Sequence, residues 1–209
     1  CIDALADGIG DAAGVAHAPI LGGDMSRASE LSLTITVLGT AREVLSRASA
    51  RPGDRVYVTG RLGGSRAALL AFQSGAQPHA AHRERFARPV PRIAEAVWLA
   101  ENGATAAIDI SDGLAADAGH ISHASSVRVV IDLDRIPVID GVQPLEALRS
   151  GEEYEVLVTS PEQFDTESFA RRFGVELTEI GLVERGEHEV RVMRDGEQIE
   201  VPGGYLHFE

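Results

Sequence analysis

Apolar and polar residues follow two different periods along this chain. Ile2, Leu5, Ile9 and Ala13 recur at helical spacing, which predicts a helix over residues 2–15. Ala18-Pro19-Ile20-Leu21 reads as a short apolar strand running into Gly22-Gly23-Asp24. Residues 31–38, LSLTITVL, alternate apolar with hydroxyl side chains and predict a strand with one buried face. Residues 39–50 form a connection, and Arg51-Pro52-Gly53-Asp54 is turn chemistry before a strand over 55–60.

A glycine bend at Gly60, Gly63 and Gly64 leads into a helix over 65–72, and the polar stretch 73–90 reads as mobile or surface chain. Pro91 opens a helix that Gly103 closes. A strand over 105–109 then meets the turn Ser111-Asp112-Gly113 and a helix to 124. Strands follow at 127–133, 154–159 and 176–183, with a helix at 161–173 and a hairpin around Asp195-Gly196. Strands and helices are mixed in an α+β order rather than in strict βαβ alternation. The Arg51-Pro52-Gly53-Asp54 turn is the expected boundary between residues 1–50 and a complete domain over 51–209. The residues before it are too few for a second domain, so the N-terminal part is expected to be a remnant.

Composition narrows the chemistry. Hydrophobic residues make up 44% of the 209 and charged residues 24%, enough for a sizeable core. No apolar run approaches the roughly 18 residues a membrane span needs, and the start lacks a signal-peptide pattern. A cytoplasmic protein with no membrane partner is therefore expected. The one cysteine, Cys1, excludes an internal disulfide framework and a cysteine-built zinc site. A net charge of -13 argues against a nucleic-acid partner. All 19 basic residues are arginine, so the chain contains neither a P-loop lysine nor a protein-kinase catalytic lysine. Phosphate handling here would fall to arginine, backbone N–H groups and carboxylate-held metal ions.

Four segments could do so. Gly22-Gly23-Asp24 lets backbone approach a ligand and sets a carboxylate beside it, although a tight turn capped by Asp24 fits the same residues. Ala107-Ile108-Asp109-Ile110-Ser111-Asp112-Gly113-Leu114 places two carboxylates and a hydroxyl where a strand ends and a helix begins. Helix N-termini favour anionic groups, and an ordinary N-cap would explain Ser111 or Asp112 while leaving Asp109 unexplained. Ser150-Gly151-Glu152-Glu153-Tyr154-Glu155 presents acids on a glycine turn, where Glu152 could meet a cationic group or simply face water. Arg47, just before the boundary turn, is either a phosphate contact or a surface arginine. His120 and His123 share a helix face, but such pairs more often pack or face solvent than bind metal.

The order of these segments is more specific than any one of them. G-G-D, a strand ending V-L-G, R-x-x-A-R-P-G-D, V-T-G, I-D-I-S-D-G-L, G-E-E-Y-E and the closing G-G-Y-L-H-F together resemble the thiamine-monophosphate kinase family. That resemblance implies an AIR synthetase-like fold, with a complete C-terminal α/β domain and the last part of an N-terminal mixed-sheet domain. It implies ATP contacts from Gly23, Asp24, Arg47 and Ser111. It also implies magnesium ligands Asp24, Asp109 and Asp112, and contacts from Glu152 and Tyr205 to thiamine monophosphate. Several magnesium ions, ATP as co-substrate and a homodimeric full-length protein are further implications. The sequence departs from the family pattern at S-G-E-E-Y-E and G-G-D-M-S, and it lacks the family's acidic G-D-D-A-A segment. A fragment inactive alone is therefore also expected.

The implied reaction joins two anions, and the acceptor phosphate oxygen is already ionised at neutral pH. No general base is expected; positioning and charge neutralisation carry catalysis. Two alternatives remain open: another ATP-dependent enzyme of the same superfamily, or a non-catalytic nucleotide-binding fragment.

Overall fold

The computed structural model describes residues 2–200 and falls into two compact units, residues 1–42 and 43–209. The first unit carries one regular element, helix α1 (Ile2–Val15). The strands expected at 18–21 and 31–38 do not form. Leu31, Leu33, Ile35 and Val37, the apolar side of the alternating stretch, are all exposed. A strand needs a neighbour to take its N–H and C=O groups, and the described residues of this unit supply none.

Among its described residues the second unit has seven strands: β1 (Arg55–Thr59), β2 (Ala106–Asp109), β3 (Arg128–Asp132), β4 (Val156–Ser160), β5 (Leu177–Glu184), β6 (Val190–Arg194) and β7 (Glu197–Ile199). They lie in the order β2-β4-β1-β5-β3-β6-β7. Every neighbouring pair is antiparallel except β3 and β6. Successive side chains of a strand point to opposite faces, and both faces of this sheet are buried. Val56, Val58, Leu157, Ala106 and Ile108 pack with Leu114, Ala118 and Ile121 of α5 (Leu114–Ser125) and with Ala147 and Leu148 of α6 (Pro144–Leu148). On the other face Tyr57 and Val158 pack with Trp98 and Leu99 of α4 (Ile93–Glu101) and Phe169 and Phe173 of α7 (Thr166–Phe173). The expected α+β class is borne out. Among the described residues no helix is long and apolar enough to cross a membrane.

Two further helices stand beside the sheet, α2 (Gly64–Gln73) and α3 (Ala80–Ala87). The stretch 73–90 lies at the surface, as expected, and α3 forms within it. His79 caps its start, and Arg85 ties it to the rest of the unit, its guanidinium reaching Glu153 and Glu155 about 70 residues away in sequence. No local pattern carries that information.

An ion cluster ties the sheet to the 3₁₀ turn Leu133–Arg135. Arg55 lies 2.8 Å and Arg135 3.2 Å from the Glu179 carboxylate, which also accepts a hydrogen bond from Tyr57. Burial pushes the Glu179 carboxyl upward, but the hydrogen bond and charge of Arg55, joined by Arg135, outweigh it and hold the group below 4.5. A carboxylate depressed in the folded state adds stability above its unfolded pKa and loses it as pH falls. Relative to Glu179→Gln, the natural chain should therefore lose up to about 1 kcal/mol of unfolding free energy as pH falls through the carboxylate range, read by urea titration at each pH. Parallel acid limbs for the two proteins would refute this.

Candidate active site

β2 ends at Asp109 and α5 begins at Leu114, so residues 110–113 form the strand–helix junction anticipated from the sequence. Asp117, one turn into α5, organises it. Its Oδ2 accepts the backbone N–H groups of Ser111, Asp112 and Gly113, each at 3.1 Å. One buried carboxylate thereby satisfies donors that a helix start leaves open. Burial pushes the Asp117 carboxyl up to about 6 against the pull of the Asp112 and Gly113 N–H groups.

The turn Ser150–Glu155 is interlocked with this junction. Glu152 N–H donates to the Ser111 carbonyl at 2.8 Å, and the Glu153 and Tyr154 N–H groups donate to the Ile110 carbonyl at 3.1 and 2.9 Å. Ile110 N–H returns a bond to the Glu155 carbonyl at 2.8 Å. The approach is close enough that a Cβ on Gly151 would sit 2.6 Å from the Ser111 carbonyl oxygen, so glycine is required there. Glu152 and Tyr154 have φ of +58° and +51°, left-handed values that cost an L-residue about 1–2 kcal/mol each.

Buried carboxylates hold that strain in place. Glu153 accepts from the N–H groups of Gly63 and Ser65 at 2.9 and 3.2 Å and from the Ser150 hydroxyl at 2.5 Å. It therefore serves the N-terminus of α2, which has no side-chain cap of its own. Glu155 accepts from Thr59 at 2.5 Å, from Arg92 at 2.8 and 2.7 Å, and from Arg85. Gly60, at φ +62°, has no room for a Cβ beside that carboxylate.

A cleft of about 340 Å³ opens at the junction, lined by Arg47, Asp109, Ser111, Asp112, Asp117 and His120 among others. Four residues singled out in the sequence, Arg47, Asp109, Ser111 and Asp112, thus meet at one cavity. Arg47 is exposed there, and its carbonyl accepts from the Ser125 hydroxyl of α5 at 2.7 Å. Ligand atoms of Asp112, Asp117 and His120 lie within 4.8 Å of one another. Asp109 borders the same cleft without joining that group. Glu152 is exposed, and its Oε2 accepts the Tyr154 hydroxyl at 2.8 Å. Burial, the Glu152 carboxylate and the charges of Asp109 and Asp112 push the Tyr154 phenol up to about 12.

Gly23 and Asp24 belong to the first unit, where both are exposed and Asp24 Oδ1 accepts the Met25 N–H at 2.8 Å. Tyr205 lies outside the described residues. Sequence reasoning missed Asp117 and Tyr154. Asp117 could have been found as an acid at a buried position of an otherwise apolar helix face; Tyr154 carries no signal of its own.

The donor set is mostly carboxylate oxygen, and Asp117 fixes the backbone that carries Asp112. These residues fit a hard divalent cation such as magnesium, which takes one or two protein carboxylates and completes its shell with water and phosphate oxygens.

Comparison with known proteins adds a family context. The family model described as AIR synthase related protein, C-terminal domain, matches residues 51–194. The thiamine-monophosphate kinase of Methanopyrus kandleri is 42% identical over 188 residues, covering 84% of this chain and 58% of the relative. That of Escherichia coli K12 is 35% identical over 225 residues, covering 99% of this chain and 69% of the relative. The solved structure of AaThiL complexed with AMPPCP and TMP matches with a TM-score of 0.63 at 35% identity, covering 78% of this chain and 54% of that one. The chain spans 58–64% of the length of its first curated relatives, and its sheet has the AIR synthetase-like fold that they share.

Proposed function

From the premise that this chain belongs to the thiamine-monophosphate kinase family of AIR synthase related proteins, we propose that the protein carrying it transfers the γ-phosphoryl group of ATP to thiamine monophosphate. The products are ADP and thiamine diphosphate. The observation that carries this reading is the meeting of Arg47, Asp109, Ser111 and Asp112 at one cleft, with the Glu152 turn bonded to the same junction. A relative at 35% identity that binds both AMPPCP and TMP supports it.

The roles follow from chemistry. Arg47 offers a guanidinium to the nucleotide phosphates, and the Ser111 hydroxyl offers a further donor. By the family resemblance Gly23 and Asp24 would be ATP contacts, Asp24 also a metal ligand. Asp109 and Asp112 would hold magnesium, with Asp117 keeping the Asp112 backbone in place. When bound, magnesium supplies positive charge that offsets the repulsion between the two phosphate groups. Glu152 meets a cationic or amino group of the thiamine moiety, and Tyr205 contacts the same substrate. No side chain is needed as a base, because the acceptor oxygen is already ionised. The reading includes a cytoplasmic homodimer with a boundary between residues 1–50 and 51–209.

The test is ADP release by the full-length protein with ATP, magnesium and a panel of acceptors. Thiamine monophosphate should raise the rate at least about a hundredfold over ATP alone. Stimulation instead by an aminoimidazole-ribotide precursor would assign the chain to another superfamily activity. Nucleotide binding without turnover would leave a binding module.

A further inference from the structure

The Ser150–Glu155 turn sends alternate side chains to different destinations. Glu153 and Glu155 point inward and are saturated by Gly63, Ser65, Ser150, Thr59, Arg85 and Arg92. Glu152 and Tyr154 are exposed, and both hold left-handed backbone. That geometry brings the Tyr154 hydroxyl back onto the Glu152 carboxylate only two residues away, at 2.8 Å. An ordinary extended strand would point residues two apart the same way but would not close such a bond. The turn is bonded to the junction that carries Asp109 and Asp112: Tyr154 N–H donates to the Ile110 carbonyl at 2.9 Å and Glu152 N–H to the Ser111 carbonyl at 2.8 Å.

We propose that Tyr154 is a positioning residue for the acceptor substrate: its hydroxyl grips Glu152 by Oε2 and leaves Oε1 directed at a cationic or amino-bearing ring. This rests on the phosphoryl-transfer reading above and adds to it a residue with a defined task. An exposed glutamate on its own samples many rotamers, and a substrate that binds it must freeze them. A phenol that holds one oxygen beforehand removes that cost from the binding step. A phenol is protonated near neutral pH, so the hydroxyl is a donor there. The surrounding carboxylates also make a neutral phenol a better neighbour here than a lysine or arginine, which would compete with the substrate for Glu152.

The experiment is a double-mutant cycle in the full-length enzyme with Y154F, E152A and the pair. Y154F keeps the ring and removes only the hydroxyl. It should raise KM for thiamine monophosphate about tenfold, with KM for ATP, kcat and the unfolding midpoint changed less than twofold or within error. In the E152A background the same change should have less than a twofold effect, because the carboxylate it holds is gone. A general structural role would raise both KM values together or lower the unfolding midpoint, and either result overturns the inference. Fully additive effects of Y154F and E152A also overturn it. A natural enzyme that turns over thiamine monophosphate with a KM indifferent to Y154F overturns the inference alone. A natural enzyme that does not respond to thiamine monophosphate overturns the proposed function.

Discussion

Replacing Asp112 by alanine is expected to lower kcat by about a thousandfold or more while leaving the fold in place. The magnitude follows from the reaction. Two phosphate-bearing molecules must be brought together with their charges offset, and groups that supply such compensation in phosphoryl transfer are worth about 10³–10⁵ in rate. Asp112 is the one proposed metal ligand that is both on the cleft and within 4.8 Å of the other candidate donors, Asp117 and His120. The structural cost should be small. The backbone of the junction is held by Asp117, which accepts the Asp112 backbone N–H at 3.1 Å. Thermal unfolding should therefore change by about 1 kcal/mol or less. Asp112→Asn keeps the shape and loses the charge, and should fall nearly as far in kcat. A kcat within tenfold of the natural enzyme in both variants would remove Asp112 from the metal site.

Much of this site can be read from residue order alone, for a physical reason. The Asp109–Gly113 junction is local: a strand ending and a helix starting within five residues fix where its carboxylates go, and the structure puts Asp109, Ser111 and Asp112 on one cleft. Arg47 joins them because a serine of α5 accepts the Ala50 N–H and donates to the Arg47 carbonyl, a long-range link with no local signature. The failures have the same origin in reverse. The alternation over 31–38 is a sound strand pattern, but pairing requires a neighbour that no local pattern can supply. The run 80–87 lacks an apolar stripe but is rich in the good helix formers alanine, arginine and glutamate, and its Arg85 reaches two buried carboxylates. Glu152 was legible as an acid on a glycine turn, whereas its neighbours Glu153 and Glu155, identical in type, are wholly buried. Charge alone cannot distinguish an acid that serves a ligand from one that serves an arginine.

Those buried acids set the largest expected effect on stability. Glu155→Ala should lower the unfolding free energy by about 3–5 kcal/mol, the usual cost of stripping one partner from a buried ion pair. Glu155 has no solvent exposure, and the Arg85 and Arg92 side chains that meet it are only 15% and 11% exposed. Removal of the carboxylate leaves two guanidinium groups with little water to turn to. Arg85 keeps Glu153 at 3.2 Å and Arg92 keeps Glu95 at 3.5 Å, which moves the expectation toward the lower end of the range. Thr59 also loses the acceptor for its hydroxyl. For a chain of this size a loss of about 3 kcal/mol corresponds to a fall in Tm of roughly 6–12 °C. Glu155→Gln, which retains the volume and one carbonyl acceptor, should lose about half as much. The loss should also reach function, since the same turn carries Glu152 and Tyr154 in strained backbone. Substrate affinity in Glu155→Ala should weaken even well below the new Tm, as measured by calorimetry at low temperature. A variant that unfolds within about 1 kcal/mol of the natural chain would mean that water already reaches the two arginines, and that the strained turn is held by its backbone bonds to Ile110 and Ser111 alone.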